Sequence, residues 1–164
     1  MIRDLTRDDL PAVTALFAAA ADYVLLERGA PADPAALAEE FFTDAPPGID
    51  PATSLRLGVF DGARLLGKAD AAFGYPEATD AYIGLMIFDP AARGAGLGAR
   101  LLREIETRAR ERGATRLLIA ALEANEKGRA FWTREGFELQ QLFRDRDYGA
   151  ARHTVYRMVK PLVP

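Results

Sequence analysis

The sequence predicts an α/β (α+β) fold built from seven strands and four helices, in the order β-α-α-β-β-β-α-β-α-β-β. Three apolar runs between residues 55 and 88 are separated by short turns, which is typical of an antiparallel meander. After residue 97, helical periodicity alternates with apolar runs that have strand length. The 164 residues are enough for one hydrophobic core, so we expect a single domain over residues 1–164.

The first third of the chain predicts one short strand and two helices. Residues 1–5 have strand character, and Thr6 with Asp9 forms a capping-box pattern at the start of a helix that should end near Gly29. Apolar residues recur along that helix at helical spacing: Leu10, Val13, Leu16, Phe17 and Ala20. A second helix should begin at Pro34 and run to residue 42, because a Pro-Pro-Gly cluster follows it.

The remaining elements follow from apolar runs and turn residues. Strands are predicted over residues 55–60, 65–73 and 82–88, with turns at residues 61–62 and 76–80. They are followed by a helix that ends at Gly113, a strand at residues 116–121, a helix at residues 125–135 and final strands near residues 137–143 and 154–159.

A glycine-rich turn joins the strand at residues 82–88 to the third helix. Its sequence is Arg93-Gly94-Ala95-Gly96-Leu97-Gly98, and we expect the three glycines to allow positive φ and a close approach of a ligand to the backbone. The first amides of a helix lack internal partners and favour an anion. The turn is neither a P-loop nor a dinucleotide-binding loop, since it has no Gly-Lys-Ser/Thr and no acidic residue about 20 residues later.

Composition restricts the chemistry. The chain has no cysteine and a single histidine, His153, which excludes disulfides and thiolate chemistry and argues against a histidine metal cluster or a Ser-His-Asp triad. We therefore expect no metal site, and we expect any transfer chemistry to be direct. No apolar run reaches membrane-spanning length, so we expect a cytoplasmic protein with no membrane partner.

Charge is distributed unevenly along the chain. Residues 1–50 contain three basic and ten acidic residues, whereas residues 93–116 contain seven arginines and three glutamates. The basic segment suits a phosphorylated ligand, and the acidic one favours a cationic second substrate. Many of these charges also fit a solvated helix face with i,i+4 pairs. The sequence pI of about 5.3 argues against nucleic acid as a partner.

Two motifs at compatible spacing carry a family resemblance. Arg93, Gly96 and Gly98 match an acyl-CoA signature: Arg or Gln, two residues, Gly, one residue, then Gly or Ala. The pair Asp89-Pro90 before the signature is common in the same family. Asn125 stands seven residues before the aromatic residue of a second motif, Trp132, which precedes a Gly-Phe pair. Over nearly its whole length, the chain resembles the GNAT family of N-acetyltransferases.

This resemblance implies a sheet that is mixed, mostly antiparallel and splayed between its fourth and fifth strands, with acetyl-CoA bound there as cosubstrate. In that arrangement the amides of residues 94–99 bind the pyrophosphate, and residues 86–88 pair with pantetheine like an added strand. The implied cofactor-binding residues are Met86, Ile87, Phe88, Arg93, Gly94, Ala95, Gly96, Leu97, Gly98, Ala99, Asn125 and Trp132.

The residues that would move protons depart from the common family pattern. Trp132 stands where many relatives have a tyrosine that protonates the departing thiolate, and an indole N–H cannot release a proton usefully. Tyr82 and Tyr148 are the predicted catalytic residues; Tyr82 also fits simple packing in its strand. Asn125 is expected to cap its helix as well as to contact the cofactor.

The sequence therefore predicts a cytoplasmic acetyl-CoA-dependent N-acetyltransferase that transfers the acetyl group directly. Its acceptor would be a primary amine of a small molecule or a protein, possibly cationic, and the protein would be a monomer or a homodimer. The alternative is a non-catalytic acyl-CoA-binding sensor or interaction module, and a further one is an enzyme that uses another acyl-CoA or acylates an alcohol.

Overall fold

A computed structural model describes residues 1–163. Its seven strands are β1 (Ile2–Asp4), β2 (Leu55–Asp61), β3 (Arg64–Phe73), β4 (Asp80–Phe88), β5 (Arg116–Leu122), β6 (Glu138–Tyr148) and β7 (Ala151–Pro161). Its five helices are α1 (Leu10–Ala19), α2 (Ala21–Arg28), α3 (Pro34–Thr43), α4 (Leu97–Glu111) and α5 (Glu126–Arg134).

All seven strands form one sheet in the order β1-β2-β3-β4-β5-β7-β6. The predicted meander is present, because β2, β3 and β4 pair antiparallel in sequence order. The only parallel pair in this described sheet is β4 with β5, which makes the sheet mixed and mostly antiparallel. The predicted fold class is confirmed.

The sheet opens between its two parallel strands. Pairing of β4 with β5 covers only residues 80–83 and 116–119, although β4 continues to Phe88 and β5 to Leu122. Beyond that point β5 pairs with β7, while no described strand pairs with β4 on its β5 side. Residues 84–88 therefore present an open strand edge.

Helices cover both faces of the sheet and enclose two apolar clusters. On one face, α4 buries Leu101, Leu102 and Ile105 against β2, β3, β4 and β5. On the other face, α1 and α3 pack Phe17 and Phe41 against β3 and the end of β4. The sheet is thus held from both sides, and the open edge of β4 lies between the two clusters.

The first predicted helix is two helices in the structure. The chain breaks at Ala20, which is fully buried, and the segment Arg7–Ala19 meets Ala21–Arg28 at an angle of 70°. The apolar pattern contains no glycine or proline between Pro11 and Gly29, so the sequence carried no signal for this break. Packing decides it, because α1 buries its apolar face in the core whereas α2 buries only Val24.

Across residues 1–163, no single helix is long and apolar enough to cross a bilayer. Two segments joined by a bend, Arg7–Ala19 and Ala21–Arg28, are together long and apolar enough, by length and composition only.

Candidate active site

The glycine turn forms a backbone cradle at the start of α4. Gly94 has φ of 82° and Gly96 has φ of 78°, conformations that L side chains rarely adopt. A Cβ added to either glycine would meet no atom within 4 Å, so open space lies over the turn. With α4 beginning at Leu97, the first amides of the helix adjoin this space and can bind an anion.

Gly98 has a different role from the one that its motif position suggests. It lies inside the first turn of α4 and does not have positive φ. A Cβ at this position would lie 3.2 Å from Cε1 of Phe131, closer than most real Cβ contacts. Gly98 is therefore needed for the close packing of α4 against α5, and the expected turn conformation is confirmed only for Gly94 and Gly96.

A cleft with a volume of about 820 Å³ extends from this cradle along the open edge of β4. It is walled by the end of β4, the glycine turn, the start of α4, the length of α5, and α2. The predicted cofactor-binding residues that line it are Met86, Ile87, Phe88, Arg93, Gly94, Gly96, Leu97, Gly98, Ala99, Asn125 and Trp132. Ala95 was predicted with them and does not line the cleft.

Sequence reasoning missed the wall that α2 contributes. Asp22, Tyr23 and Leu26 of α2 line the cleft. Asp22 binds both terminal nitrogens of Arg93, at 2.6 Å and 3.1 Å, and this hydrogen bonding lowers the pKa of its carboxyl. Arg93 Nε also donates to the carbonyl oxygen of Phe88 at 3.2 Å. The Arg93 side chain thus links α2 to the end of β4 beside the cleft.

Asn125 and Trp132 of the second motif line the cleft. Asn125 Oδ1 accepts a hydrogen bond from the backbone N–H of Gly128 at 3.0 Å, which is the expected N-cap of α5. Trp132 is buried, and its ring stands edge-on to the rings of Phe131 and Phe137, with centroids 4.9 Å and 5.2 Å away. The indole therefore forms part of the core while also bordering the cleft.

A bulge in β4 lies where the two parallel strands separate. The register with β3 shifts by one residue between the pairs Ala71–Ile83 and Ala69–Met86, so β4 carries an extra residue there. The backbone N–H of Leu85 donates to Asp70 Oδ1 at 3.1 Å. A Cβ on Gly84 would lie 2.3 Å from Asp70 Oδ2, so glycine is required for the carboxylate to approach the bulge.

Asp70 also faces a buried lysine. The side chain of Lys68 is 1% exposed, and its Nζ lies 3.9 Å from Asp70 Oδ1 and 3.8 Å from the ring centroid of Phe41. Burial lowers the pKa of Lys68 to about 8, against the opposing effect of Asp70, and burial raises the pKa of Asp70. The carboxyl group of Asp70 therefore contacts both the backbone of the bulge and the buried amine of Lys68.

The two predicted catalytic tyrosines come together in a second cavity. Tyr82 from β4 and Tyr148 from the end of β6 both line a space of about 360 Å³, together with Ala120 of β5 and Tyr75. Burial, reinforced by the charge of Glu27, raises the pKa of Tyr148, so this phenol stays protonated at neutral pH. Tyr148 is therefore suited to donate a hydrogen bond or a proton rather than to act as a base.

A sequence model of the acetyltransferase (GNAT) family matches residues 15–137, three quarters of the chain. The protein belongs to the GNAT family. The match spans the meander, the glycine turn and the Asn125–Phe137 motif, so the family and the acetyltransferase class predicted from these residues are confirmed. No curated protein sequence matches the chain.

Solved structures of acetyltransferases have the same fold as this chain. The ribosomal-protein-S18-alanine N-acetyltransferase from Escherichia coli aligns with a TM-score of 0.75 at 18% identity, covering 100% of this chain and 94% of its own. An acetyltransferase from Thermus thermophilus aligns at 0.71 and 26% identity, covering 99% and 96%. An aminoglycoside 6'-N-acetyltransferase complexed with coenzyme A aligns at 0.75 and 13% identity, covering 100% and 98%.

Two variants of Asn125 separate its structural role from a role in binding within this GNAT cleft. Asn125→Ala removes the N-cap of α5 and is expected to lower the free energy of unfolding by about 1 kcal/mol. Asn125→Asp keeps the cap acceptor but adds negative charge to the cleft, so stability should hold while affinity for the anionic cofactor falls. Urea unfolding and calorimetric titration with CoA measure the two effects; equal CoA affinity in Asn125→Asp and the unaltered protein would exclude a cofactor contact.

Proposed function

We propose that the protein transfers the acetyl group of acetyl-CoA directly to a primary amine of a small molecule or a protein. The observation that carries this proposal is that three features lie on or beside the one strand β4. The cradle at Gly94 and Gly96 opens into the cleft, the cleft follows the unpaired end of β4, and Tyr82 of the same strand lines the second cavity.

The residues of the cleft fit acetyl-CoA. The open space over Gly94 and Gly96 and the helical amides that follow suit a pyrophosphate. The edge at residues 86–88 offers backbone N–H and C=O groups to the amide-bearing pantetheine arm. The guanidinium of Arg93 is engaged by Asp22, so the backbone is the principal ligand for phosphate in this arrangement.

Acetyl-CoA supplies an activated acetyl group: the amine nitrogen forms the new C–N bond, the C–S bond breaks, the nitrogen loses a proton and CoA leaves as the thiolate or thiol. An alkylamine with a pKa of about 10.4 is mostly protonated at neutral pH, so it must first lose a proton. Tyr82 borders the cavity from which the amine would approach, and the neutral phenol of Tyr148 can supply a proton. Trp132 cannot, since its indole donates a hydrogen bond only.

Replacing the two cavity tyrosines tests this assignment. Tyr82→Phe and Tyr148→Phe are each expected to lower kcat by about 10-fold or more, because proton transfer by a positioned group contributes at least that much. CoA affinity should stay unchanged, since neither residue lines the cleft. A chromogenic assay of thiol release over amino acids, polyamines, aminoglycosides and peptides provides the rate.

Tyr156→Phe is the matched control, because the Tyr156 hydroxyl bonds to Glu123 and lies outside both cavities. Unchanged kcat in both cavity variants would assign the proton transfers to solvent instead.

A non-catalytic acyl-CoA sensor is the second candidate function, and it is favoured by Trp132 at the position where many GNAT relatives have a tyrosine. It makes the opposite prediction. CoA would bind in the calorimeter, yet no amine in the panel would release thiol from acetyl-CoA.

A further inference from the structure

We propose that the amine acceptor also carries a carboxylate, which Arg157 binds in the second cavity. This inference rests on the proposed acetyl transfer and names the chemical class of the acceptor: a small amino carboxylate with an apolar or aromatic portion.

Within the described residues 1–163, Arg157 is a charged side chain with no carboxylate partner. It lies on β7, in register with Ala120 of β5 and Gln141 of β6, and it lines the second cavity. Its Nε is buried and has no hydrogen-bond partner in the part of the chain that the structure describes, and none of the ion pairs there includes Arg157. A buried polar group left in this way is costly and uncommon in native proteins, unless a ligand satisfies it.

Aromatic rings hold this guanidinium in place. Its Cζ lies 4.9 Å from the ring centroid of Phe143 and 5.4 Å from that of Tyr82. Arginine stacked on rings keeps its N–H fork free to bind a planar anion with two hydrogen bonds. The side chain is therefore oriented without using the donors that a carboxylate would need.

Two acidic residues in the surroundings of Arg157 are already engaged. Asp80 binds Arg116 through both carboxylate oxygens, each at 2.8 Å. Asp147, which lines the cavity, is paired with Arg152 at 3.0 Å. Arg146 adds a second guanidinium to the cavity, so its lining has a positive balance that favours an anion.

A bulge in β6 brings Phe143 and Arg146 to the same cavity. Between the pairs Phe143–Val155 and Arg146–His153, β6 has one more residue than β7, and Asp145 has φ of 55°. In a regular strand, residues 143 and 146 would lie on opposite faces. Because of the bulge, Phe143 and Arg146 both line the cavity.

No acidic residue of the N-terminal third lines this cavity, and Glu27, whose charge acts on Tyr148, is paired with Arg28 at 3.5 Å. Five more of the ten carboxylates in that third are held by arginines: Asp4 by Arg108, Asp9 by Arg3, Asp22 by Arg93, Glu39 by Arg7 and Glu40 by Arg28. The cavity itself has walls of Tyr75, Tyr82 and Tyr148, which suit an apolar or aromatic body between the amine and the carboxylate. A volume of about 360 Å³ accommodates a molecule of amino-acid size.

Matched acceptors test the proposal in the unaltered protein first. Steady-state rates of thiol release are compared for free amino acids, the corresponding amino acid amides and the amines that lack the carboxyl group. We expect kcat/KM to be higher for the carboxylates by about 10-fold or more, the effect of a hydrogen-bonded charge. Saturation-transfer NMR with CoA present gives a second, non-catalytic readout, in which the carboxylates bind and the amides do not.

Variants then locate the effect. Arg157→Gln should remove the preference for carboxylates, mainly through KM, while Arg157→Lys should keep part of it. Arg144→Gln, an exposed arginine of β6 that lines neither cavity, should leave the preference intact. CoA affinity and thermal unfolding are measured in each variant.

Equal or better turnover of the amides or simple amines by the unaltered protein would overturn the carboxylate inference and leave acetyl transfer standing. Absence of turnover with every amine would instead contradict the proposed function. A carboxylate preference that persists in folded Arg157→Gln would remove Arg157 from the binding site.

Discussion

Gly96→Glu is expected to weaken binding of CoA by about 100-fold or more while the protein remains folded. Gly96 adopts φ of 78° at the N-cap of α4, and no atom lies within 4 Å of a Cβ placed there. A glutamate side chain would therefore extend into the space that the phosphates need and would bring a negative charge to it. Loss of the helix-terminus site and like-charge repulsion both act against the pyrophosphate.

Gly113→Glu is the matched control. Gly113 has a similar φ of 81° and equally open surroundings, but it follows the opposite end of α4 and does not line the cleft. Both variants carry comparable backbone strain of about 1 kcal/mol or more, so both should lose some stability. Only Gly96→Glu should lose CoA binding in a calorimetric titration. Retention of CoA affinity by folded Gly96→Glu would place the pyrophosphate elsewhere.

The contribution of Lys68 to the free energy of unfolding is expected to rise between about pH 8 and about pH 10. Burial lowers the pKa of this amine from 10.5 in the unfolded chain to about 8 in the folded protein. In the interval between these values the unfolded chain binds more protons, so the free energy of unfolding increases with pH. The desolvation cost is fully present below the folded pKa and is relieved above it.

Lys68→Met isolates this contribution, because the other titrating groups remain in both proteins. The free energy of unfolding of the unaltered protein, minus that of Lys68→Met, should rise with pH by an amount on the order of 2 kcal/mol across that interval. Urea unfolding followed by tryptophan fluorescence at a series of pH values gives the two curves. The exposed Lys127→Met serves as control and should run parallel to the unaltered protein. Parallel curves for Lys68→Met as well would mean that Lys68 is not destabilised by burial.

Local features of the site could be predicted because short stretches of chain determine them. Positive φ at Gly94 and Gly96 follows from what glycine alone tolerates, and the cap of α5 follows from an asparagine placed before a helix. Gly98 marks the limit of this reasoning. Its motif position was correct, but its role depends on Phe131, which is 33 residues away along the chain.

Features that depend on distant parts of the chain could not be predicted. The break at Ala20, and with it the α2 wall of the cleft, results from packing against the sheet. Lys68 gives no local sign of burial, since only the placement of α1 and α3 over β3 covers it. The bulge in β6 that turns Arg146 toward Phe143 likewise depends on register with β7.

The sequence by itself determined the family, the order of the strands and of the helices apart from the division of the first helix, and the glycine turn, because each depends on residue type at short spacing. Only the tertiary structure decided which side chains share the second cavity. Tyr82, Tyr148 and Arg157 belong to three different strands, and their approach depends on the opening between β4 and β5 and on the register of β6 with β7. Such contacts depend on how the sheet closes and twists, which no local pattern records.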